Sequence, residues 1–131
     1  MERPPIRVMI VDDQPAVRRG LHDILETADD MVVCGEASAV ADVRAVAERT
    51  RPDVAVIDLR LADGTGVDAS RLIQSGHPGT QVLVLTSASE DEARLASRMA
   101  GASGHLAKQV RSGEIVAAIR AVAEGRWWPP T

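Results

Sequence analysis

Residues 6–13 read IRVMIVDD, a short apolar run that ends in two adjacent aspartates, Asp12 and Asp13. Short runs of branched apolar residues bounded by polar residues are typical of buried strands. The same arrangement recurs further along the chain. The residues that close these later runs are Asp58 after DVAVI, Thr86 after VLVL and Lys108 after GHLA. Because open parallel sheets bind ligands at the carboxyl ends of their strands, these strand ends predict a common site.

The apolar runs alternate with segments in which apolar residues recur at helical spacing. The predicted strands cover residues 6–11, 31–35, 54–57, 82–85 and 105–107. The predicted helices are marked by apolar residues within 17–28, 40–47, 67–73, 92–100 and 115–123. Strict alternation of this kind favours parallel pairing through right-handed crossovers, with helices on both faces of one sheet. The pattern therefore predicts a doubly wound α/β domain.

Composition limits the classes of function. The chain has 131 residues, enough for one domain with a substantial core. Its 15 basic and 19 acidic residues give a net charge of -4, so the basic surface typical of a nucleic-acid-binding protein is missing. Apolar stretches stay well short of the roughly 20 residues that span a bilayer, and the amino terminus lacks the apolar region of a signal peptide. We therefore expect a cytoplasmic protein that contacts neither DNA nor a membrane through these residues.

Aromatic residues are scarce, since the chain contains two tryptophans and neither phenylalanine nor tyrosine. The core must therefore be built from Val, Ile, Leu, Ala and Met, and Trp127 and Trp128 are expected to stand apart from it. Residues 126–131 read RWWPPT, in which consecutive prolines stop a helix and favour an extended path. We interpret this segment as the start of a linker.

The aspartates at the strand ends raise a question of charge, because carboxylates at one edge repel each other unless a cation lies among them. Magnesium prefers oxygen ligands and retains water, so it suits a site made of carboxylates, a backbone carbonyl and water. Simpler interpretations remain open for each residue taken alone. Asp12 and Asp13 suit caps of the helix near Pro15, Asp58 suits a turn, Thr86 suits an ordinary strand position and Lys108 suits an exposed surface.

Four segments in combination resemble the receiver domain of bacterial two-component response regulators. They are IVDDQPAVRRGL at the acidic pair, RPDVAVIDLRLADGTG around Asp58, VLVLTSAS around Thr86 and GASGHLAK ending at Lys108. The resemblance implies a flavodoxin/CheY-like (βα)5 fold with a five-stranded parallel sheet of order 2-1-3-4-5. It implies a receiver domain over residues 1–125 and, at 126–131, the start of a linker to an output domain absent from this chain. The most similar subgroup is the NarL/LuxR type, whose members usually carry a helix-turn-helix DNA-binding domain.

The resemblance also implies roles for the aspartates. Asp58 would be the phosphoacceptor, which attacks the phosphorus of a phosphohistidine on a sensor histidine kinase. Asp13 would bind Mg2+ directly and Asp12 mainly through water. Asp58 and the backbone carbonyl of Arg60 would complete the protein ligands.

Residues after the later strands would complete the implied switch. Lys108 and Thr86 would contact the phosphoryl oxygens. His105 stands where the family often has an aromatic residue that moves with the threonine, and its simpler interpretation is a residue on the surface-facing side of its strand. Ser87 and Ala88 are small and leave space for water beside the phosphoryl group. The resemblance further implies a homodimer on activation, with DNA bound only by the output domain.

Two other functions fit parts of the pattern. A small metal-dependent phosphatase with an aspartyl nucleophile uses similar residues, but such enzymes usually need an extra domain to enclose the substrate. A pseudo-receiver keeps the fold as a protein-interaction module and does not use the phosphate. We expect that the chain is not an enzyme with an external substrate and that it catalyses only its own phosphorylation and dephosphorylation.

Overall fold

The computed structural model describes residues 3–130, which form a parallel sheet with helices on both faces. The strands are β1 (Ile6–Val11), β2 (Met31–Ala37), β3 (Val54–Asp58), β4 (Arg60–Leu61), β5 (Gly64–Thr65), β6 (Gln81–Thr86) and β7 (Gly104–Ala107). The helices are α1 (Pro15–Glu26), α2 (Val40–Thr50), α3 (Gly66–Gly76), α4 (Glu90–Ala100) and α5 (Ser112–Ala123). The main sheet has the order β2-β1-β3-β6-β7. Counted within that sheet alone, the order is 2-1-3-4-5, and the predicted doubly wound α/β fold is confirmed.

The core consists of two aliphatic clusters, one on each face of the sheet. Alternate residues of a strand face opposite sides. Val8 and Ile10 of β1 therefore lie in a cluster with side chains of α1 and α5, whereas Met9 and Val11 lie in a cluster with side chains of α2, α3 and α4. All four side chains are almost fully buried. The sheet is thus held from both sides, and its carboxyl edge has a fixed frame.

The register brings the polar strand ends to one edge of the sheet. Asp12 and Asp58 directly follow a pair of aligned residues on the adjacent strands β1 and β3. Thr86 is one residue beyond the partner of Asp58 on β6. Lys108 is one residue beyond the partner of Thr86 on β7. The predicted meeting of these strand ends therefore follows from the pairing of the backbone.

The loop between β3 and α3 contains two short strands that the sequence pattern did not predict. β4 and β5 pair antiparallel, with Arg60 opposite Thr65. Thr65 then begins α3 with a capping box, because its hydroxyl accepts the Asp68 N–H while the Asp68 carboxylate accepts the Thr65 N–H. The chain directly after Asp58 is therefore ordered by its own backbone pairing and by a helix cap.

The chain after α5 returns to the sheet. It turns at Gly125, whose φ is 81°, and Trp128 forms an isolated parallel bridge with Gly104 of β7. Trp128 is half-buried and packs against the cluster of α1 and α5. The expectation that both tryptophans stand apart from the core is therefore wrong for Trp128, because the extended path after α5 runs alongside β7. The interpretation of 126–131 as a linker start stays a prediction, and Thr131 lies outside the described residues.

Candidate functional site

Three aspartates share a pocket at the carboxyl edge of the sheet. Asp12, Asp13 and Asp58 each offer a carboxylate oxygen, and these oxygens all lie within 4.8 Å of one another. Asp12 and Asp58 are buried, with 1% and 5% of the residue exposed, whereas Asp13 is more accessible. We call this group the acidic pocket. The structure thus brings together the carboxylates that the strand ends indicated.

Lys108 supplies a cation to the acidic pocket. Its Nζ lies 3.0 Å from Asp58 Oδ2 and 3.5 Å from Asp12 Oδ2. Burial by itself lowers the pKa of Lys108, but the hydrogen bond to Asp58 and the charge of Asp12 outweigh it and raise this pKa above its ordinary value. The Lys108 backbone N–H donates to the Thr86 carbonyl at 2.9 Å, which fixes the end of β7 beside β6. The simpler interpretation of Lys108 as an unpartnered surface lysine is therefore wrong.

Asp12 is the most constrained of the three carboxylates. Burial raises its pKa, a hydrogen bond from the Gln14 N–H opposes that rise, and the charge of Asp58 adds to it. Asp12 Oδ2 is buried and makes no hydrogen bond within residues 3–130, although Lys108 Nζ lies 3.5 Å away. A hard divalent cation would satisfy such a buried oxygen together with the two neighbouring carboxylates. Asp12, Asp13 and Asp58 therefore fit a Mg2+ site.

The interpretation of the aspartates as caps and turns is met only in part. The N-cap residue of α1 is Gln14, whose side chain makes no cap bond, and Asp12 accepts the Gln14 N–H from outside the helix. Asp58 Oδ1 accepts the Arg60 N–H at 3.3 Å, as in a turn. A turn does not account for the burial of Asp58 against Lys108. Arg60 itself is exposed, and the role of its carbonyl as a metal ligand stays a prediction.

Thr86 closes β6 beside the acidic pocket and is 3% exposed. Its hydroxyl accepts the Ala88 N–H at 2.9 Å, so the side chain bonds its own loop in this structure. Ser87 is exposed and Ala88 is half-buried. The Thr86 hydroxyl, which now accepts a hydrogen bond from its own loop, can also donate one if the side chain rotates. Its neighbours Ser87 and Ala88 are small.

His105 lies inside the protein. It is 5% exposed, and its Nε2 is 3.1 Å from Glu90 Oε1 at the first turn of α4. Its ring meets the Trp127 ring edge-on with 6.4 Å between centroids. The hydrogen bond with His105 lowers the pKa of Glu90. The interpretation of His105 as a surface-facing residue is wrong, because α4 and the chain after α5 cover this side of β7.

The contacts of three residues near the site were not predicted from the sequence. Glu90 and Trp127 contact His105, as described above, and Arg18 of α1 donates from Nη1 to the backbone carbonyl of Asp12 at 2.7 Å. Arg18 Nε also lies 3.5 Å from Glu36 Oε1. These contacts join different elements, and a charged residue on a helix has the same sequence pattern whether or not it reaches a neighbouring strand. The only sequence signal was the position of Glu90 at a helix start.

A second group with metal-ligating atoms lies on α1 and is formed by His22, Asp23 and Glu26. His22 Nδ1 is 3.2 Å from Glu26 Oε1, an ordinary pair at helical spacing. Asp23 and Glu26 are exposed. These side chains form a solvated helix face, whereas the acidic pocket contains two buried carboxylates.

Comparisons with known proteins agree with this geometry. Residues 8–120 match the family described as response regulator receiver domain. The DNA-binding transcriptional activator DevR/DosR of Mycobacterium tuberculosis is 43% identical over 121 residues, which are 92% of this chain and 56% of that protein. The transcriptional regulatory protein YxjL of Bacillus subtilis is 38% identical over 95% of this chain and 57% of its own length. The chain therefore spans just over half the length of these curated relatives.

Solved structures give the same family. The crystal structure of a LuxR-family two-component response regulator from Aurantimonas has a TM-score of 0.87 at 32% identity, covering 94% of this chain and 88% of that one. The signal receiver domain of the putative response regulator NarL from Mycobacterium tuberculosis has a TM-score of 0.87 at 30% identity, covering 95% of this chain and 100% of that one. Within residues 3–130, every helix is too short or too polar to cross a membrane. The buried acidic pocket with its lysine and the 2-1-3-4-5 sheet agree with these similarities. The chain therefore belongs to the response regulator receiver domain family, and its relatives are transcriptional regulators.

Proposed function

We propose that this chain is a phosphoacceptor switch that takes a phosphoryl group onto Asp58. The observation that carries the proposal is the position of Asp58, which is buried 3.0 Å from the Lys108 ammonium and within 4.8 Å of two further carboxylates. A carboxylate held in this way can act as a nucleophile, and the neighbouring ammonium can offset the negative charge of an incoming group. The proposal accounts for the cost of keeping three carboxylates together.

The transfer is a displacement at phosphorus. A carboxylate oxygen of Asp58 forms a bond to the phosphorus of a phosphohistidine, and the bond between phosphorus and the imidazole nitrogen breaks. The electron pair of that bond stays on the imidazole, which takes a proton from solvent. The product is an acyl phosphate on Asp58. Lys108 lies where its ammonium offsets the charge on the phosphoryl oxygens, and the Thr86 hydroxyl is free to donate to one of them once it turns from its own loop.

Asp12, Asp13 and Asp58 would hold a divalent cation, with the Arg60 carbonyl as a further ligand. When bound, Mg2+ supplies electrostatic stabilisation of the negative charge that the incoming phosphoryl group brings. The protein's own contribution is to keep the carboxylates oriented. Arg18 and Gln14 do this for Asp12, through its carbonyl and its Oδ1 respectively.

Loss of the phosphoryl group would depend on water reaching the acyl phosphate. The exposed Ser87 and the half-buried Ala88 leave that side of the pocket open to solvent. We expect measurable autodephosphorylation and no turnover of an external substrate. The chain would then catalyse only reactions at its own Asp58.

The implied partners follow from the family. A sensor histidine kinase would supply the phosphoryl group, and phosphorylation would change a surface used for dimerisation or for contact with an output domain. Relatives include a protein named as a DNA-binding transcriptional activator, so regulation of transcription through a DNA-binding domain is the proposed output. We place the reaction in the cytoplasm, where such kinases transfer the group. The receiver domain would cover residues 1–125, with a linker starting at 126–131.

Phosphorylation is tested by incubating the chain with acetyl phosphate and Mg2+ and measuring its intact mass. We expect one added phosphate in the wild type, none in Asp58→Asn, and one in Asp23→Asn, which alters an exposed aspartate of α1. Addition that persists in Asp58→Asn would place the acceptor elsewhere.

The same experiment separates the competing functions. Repeated release of phosphate from a free phosphate ester would support a small metal-dependent aspartyl phosphatase. A wild-type chain that adds no phosphate would support a pseudo-receiver. In either case Asp58 would not be a regulatory phosphoacceptor.

A further inference from the structure

The chain after α5 covers the open edge of the main sheet. β7 is an edge strand, and an uncovered edge exposes unpaired N–H and carbonyl groups. Here the Trp128 N–H donates to the Ser103 carbonyl and the Trp128 carbonyl accepts the His105 N–H, both at 3.1 Å. We call residues 126–129 the strap. Its backbone pairing to β7 is the direct extension of the sheet at this edge.

The strap fits against β7 because residue 104 is a glycine. A Cβ added at Gly104 would clash with the carbonyl oxygen of Trp128. It would also lie 2.9 Å from the Trp128 Cβ and 3.0 Å from the Trp128 backbone nitrogen. The φ of Gly104 is not positive, so the glycine is required by the close approach of the strap and not by its own backbone conformation. The contact has no spare room. The backbone of β7 therefore has little space to move toward the strap at this position.

The side chains of the strap join it to the core and to α4. The Trp128 side chain packs against the cluster of α1 and α5. The Trp127 ring lies edge-on to His105, whose Nε2 is 3.1 Å from Glu90. The strap thus contacts the strand by its backbone and, through His105, the first turn of α4.

On the side opposite the strap, β7 pairs with β6, and its carboxyl end lies beside the acidic pocket. His105 pairs with Val84 of β6, and Ala107 pairs with Thr86. Lys108 follows directly, with its N–H on the Thr86 carbonyl and its Nζ on Asp58. Lys108 is only three residues after His105, which contacts the strap. The strap contact and the Lys108 contact therefore belong to the same short strand and the residue that follows it.

We propose that the strap is a latch that is docked on β7 while Asp58 is unmodified and is released when Asp58 carries a phosphoryl group. This inference rests on the proposed phosphorylation of Asp58. An acyl phosphate places its anionic oxygens farther from β3 than the carboxylate oxygen that Lys108 now contacts. In the proposed latch, Lys108 follows these oxygens and draws the end of β7 with it. A shift of β7 at Gly104 would disturb the two backbone hydrogen bonds that Trp128 makes with Ser103 and His105. Coupling of this kind is reciprocal, so releasing the strap must favour the occupied pocket to the same extent.

The chain carries its own probe for this latch. Trp127 and Trp128 are its two tryptophans, and it has no tyrosine or phenylalanine, so intrinsic fluorescence reports on the strap alone. Emission and acrylamide quenching are measured before and after treatment with acetyl phosphate and Mg2+, with the intact mass taken from the same sample. We expect emission at longer wavelength and stronger quenching in the phosphorylated protein, and no change in Asp58→Asn. Single Trp127→Phe and Trp128→Phe variants assign the signal.

A second measurement tests the coupling in the opposite direction, from the strap to the acidic pocket. Gly104→Ala introduces a Cβ that clashes with Trp128 and keeps every side chain of the acidic pocket, and Gly113→Ala, where an added Cβ meets nothing within 4 Å, is the matched control. We expect Gly104→Ala to have the exposed-tryptophan spectrum without any phosphoryl group. Its affinity for beryllofluoride with Mg2+, followed by 19F NMR, should rise about fivefold or more. If Gly104→Ala does not fold, Trp128→Ala removes the strap's core contact and the same affinity is measured.

The outcomes separate the latch from the proposed function. Phosphate on Asp58 with unchanged or better protected tryptophans, or strap variants with wild-type affinity for beryllofluoride, would overturn the latch and leave the phosphoacceptor switch standing. A wild-type chain that takes up no phosphate would remove the proposed function, and the latch with it. Released tryptophans together with tighter beryllofluoride binding would establish both.

Discussion

At the scale of single residues, the acidic pocket is arranged at the expense of folding stability. Asp12 is almost fully buried beside Asp58, and its Oδ2 makes no hydrogen bond within the described residues. Lys108 offsets part of this charge by its contacts with both aspartates. Since one cation faces three carboxylates within this group, the pocket retains an excess of negative charge. That excess favours a divalent cation, whose charge would in turn offset that of an incoming phosphoryl group.

Replacing Asp12 by asparagine tests this cost through its pH dependence. The pKa of Asp12 is raised from 3.8, chiefly by burial, so the folded protein binds this proton more tightly than the unfolded chain. Ionisation of Asp12 therefore lowers stability as pH rises above 3.8, and the penalty is complete once pH exceeds the folded pKa. We expect Asp12→Asn to raise the free energy of unfolding at pH 7 in EDTA, because the amide oxygen still accepts the Gln14 N–H. The gain should vanish below about pH 4.

Urea unfolding at neutral and acid pH measures this difference. Asp23→Asn, on the solvated face of α1, is the matched control and should change little at either pH. A loss of stability in Asp12→Asn at pH 7 would contradict the account of Asp12 as a buried, destabilising charge.

At the scale of elements, the loop after β3 stabilises the start of a helix on another part of the chain. Asp63 accepts the N–H groups of Val40 and Ala41, at 2.8 and 3.1 Å, with one carboxylate oxygen for each. The N-cap residue of α2 is Ala39, which has no side-chain acceptor. Asp63 therefore does the work of an N-cap from a distance of 23 residues to Val40. This contact joins α2 to the loop that carries Asp58.

Loss of this remote cap should destabilise the protein in a pH-dependent way. The two backbone hydrogen bonds lower the pKa of Asp63 from 3.8. A lowered pKa means that its stabilisation is present above 3.8 and is lost as pH falls through the folded pKa. We expect Asp63→Ala to lower Tm at pH 7 by a few degrees, with Asp63→Asn intermediate, and the curves of all three proteins to converge in strong acid. Thermal unfolding followed by circular dichroism gives these values, and a difference that persists in strong acid would exclude the charged cap as its cause.

The same elements mark the limit of what the sequence predicts. Strands and helices could be predicted because their periods are local, and the meeting of Asp12, Asp58 and Lys108 followed from parallel strands ending at one edge. The bond from Asp63 to α2 and the bond from Glu90 to His105 were not predictable in this way. Each joins elements whose relative position is decided by packing, so a surface carboxylate and a capping carboxylate look alike in the sequence. The strap was missed for the same reason, since an extended, proline-containing segment has one pattern whether it pairs with an edge strand or not.

At the scale of the whole molecule, the sheet brings carboxylates from distant parts of the chain to one edge. The two aliphatic clusters hold β1, β3 and β6 from both faces, so Asp12 and Asp58 cannot separate to relieve their repulsion. In the unfolded chain Asp12 and Asp58 are far apart in sequence and have no such repulsion. A divalent cation would therefore bind the folded state and not the unfolded state. Binding that is selective for the folded state raises stability.

This selectivity predicts that Mg2+ stabilises the chain in a site-specific way. At a Mg2+ concentration about 100 times the dissociation constant, the free energy of unfolding should increase by about 2.7 kcal/mol, and it should rise linearly with the logarithm of concentration above that constant. Urea unfolding in MgCl2, against NaCl of equal ionic strength, measures the increase. Asp13→Asn should abolish most of it, because Asp13 is the most accessible oxygen donor of the acidic pocket, whereas Asp23→Asn should retain it. Loss of the effect in Asp23→Asn instead would move the cation to the cluster on α1, and equal stabilisation by NaCl would show that the acidic pocket is relieved by general screening and holds no specific ion.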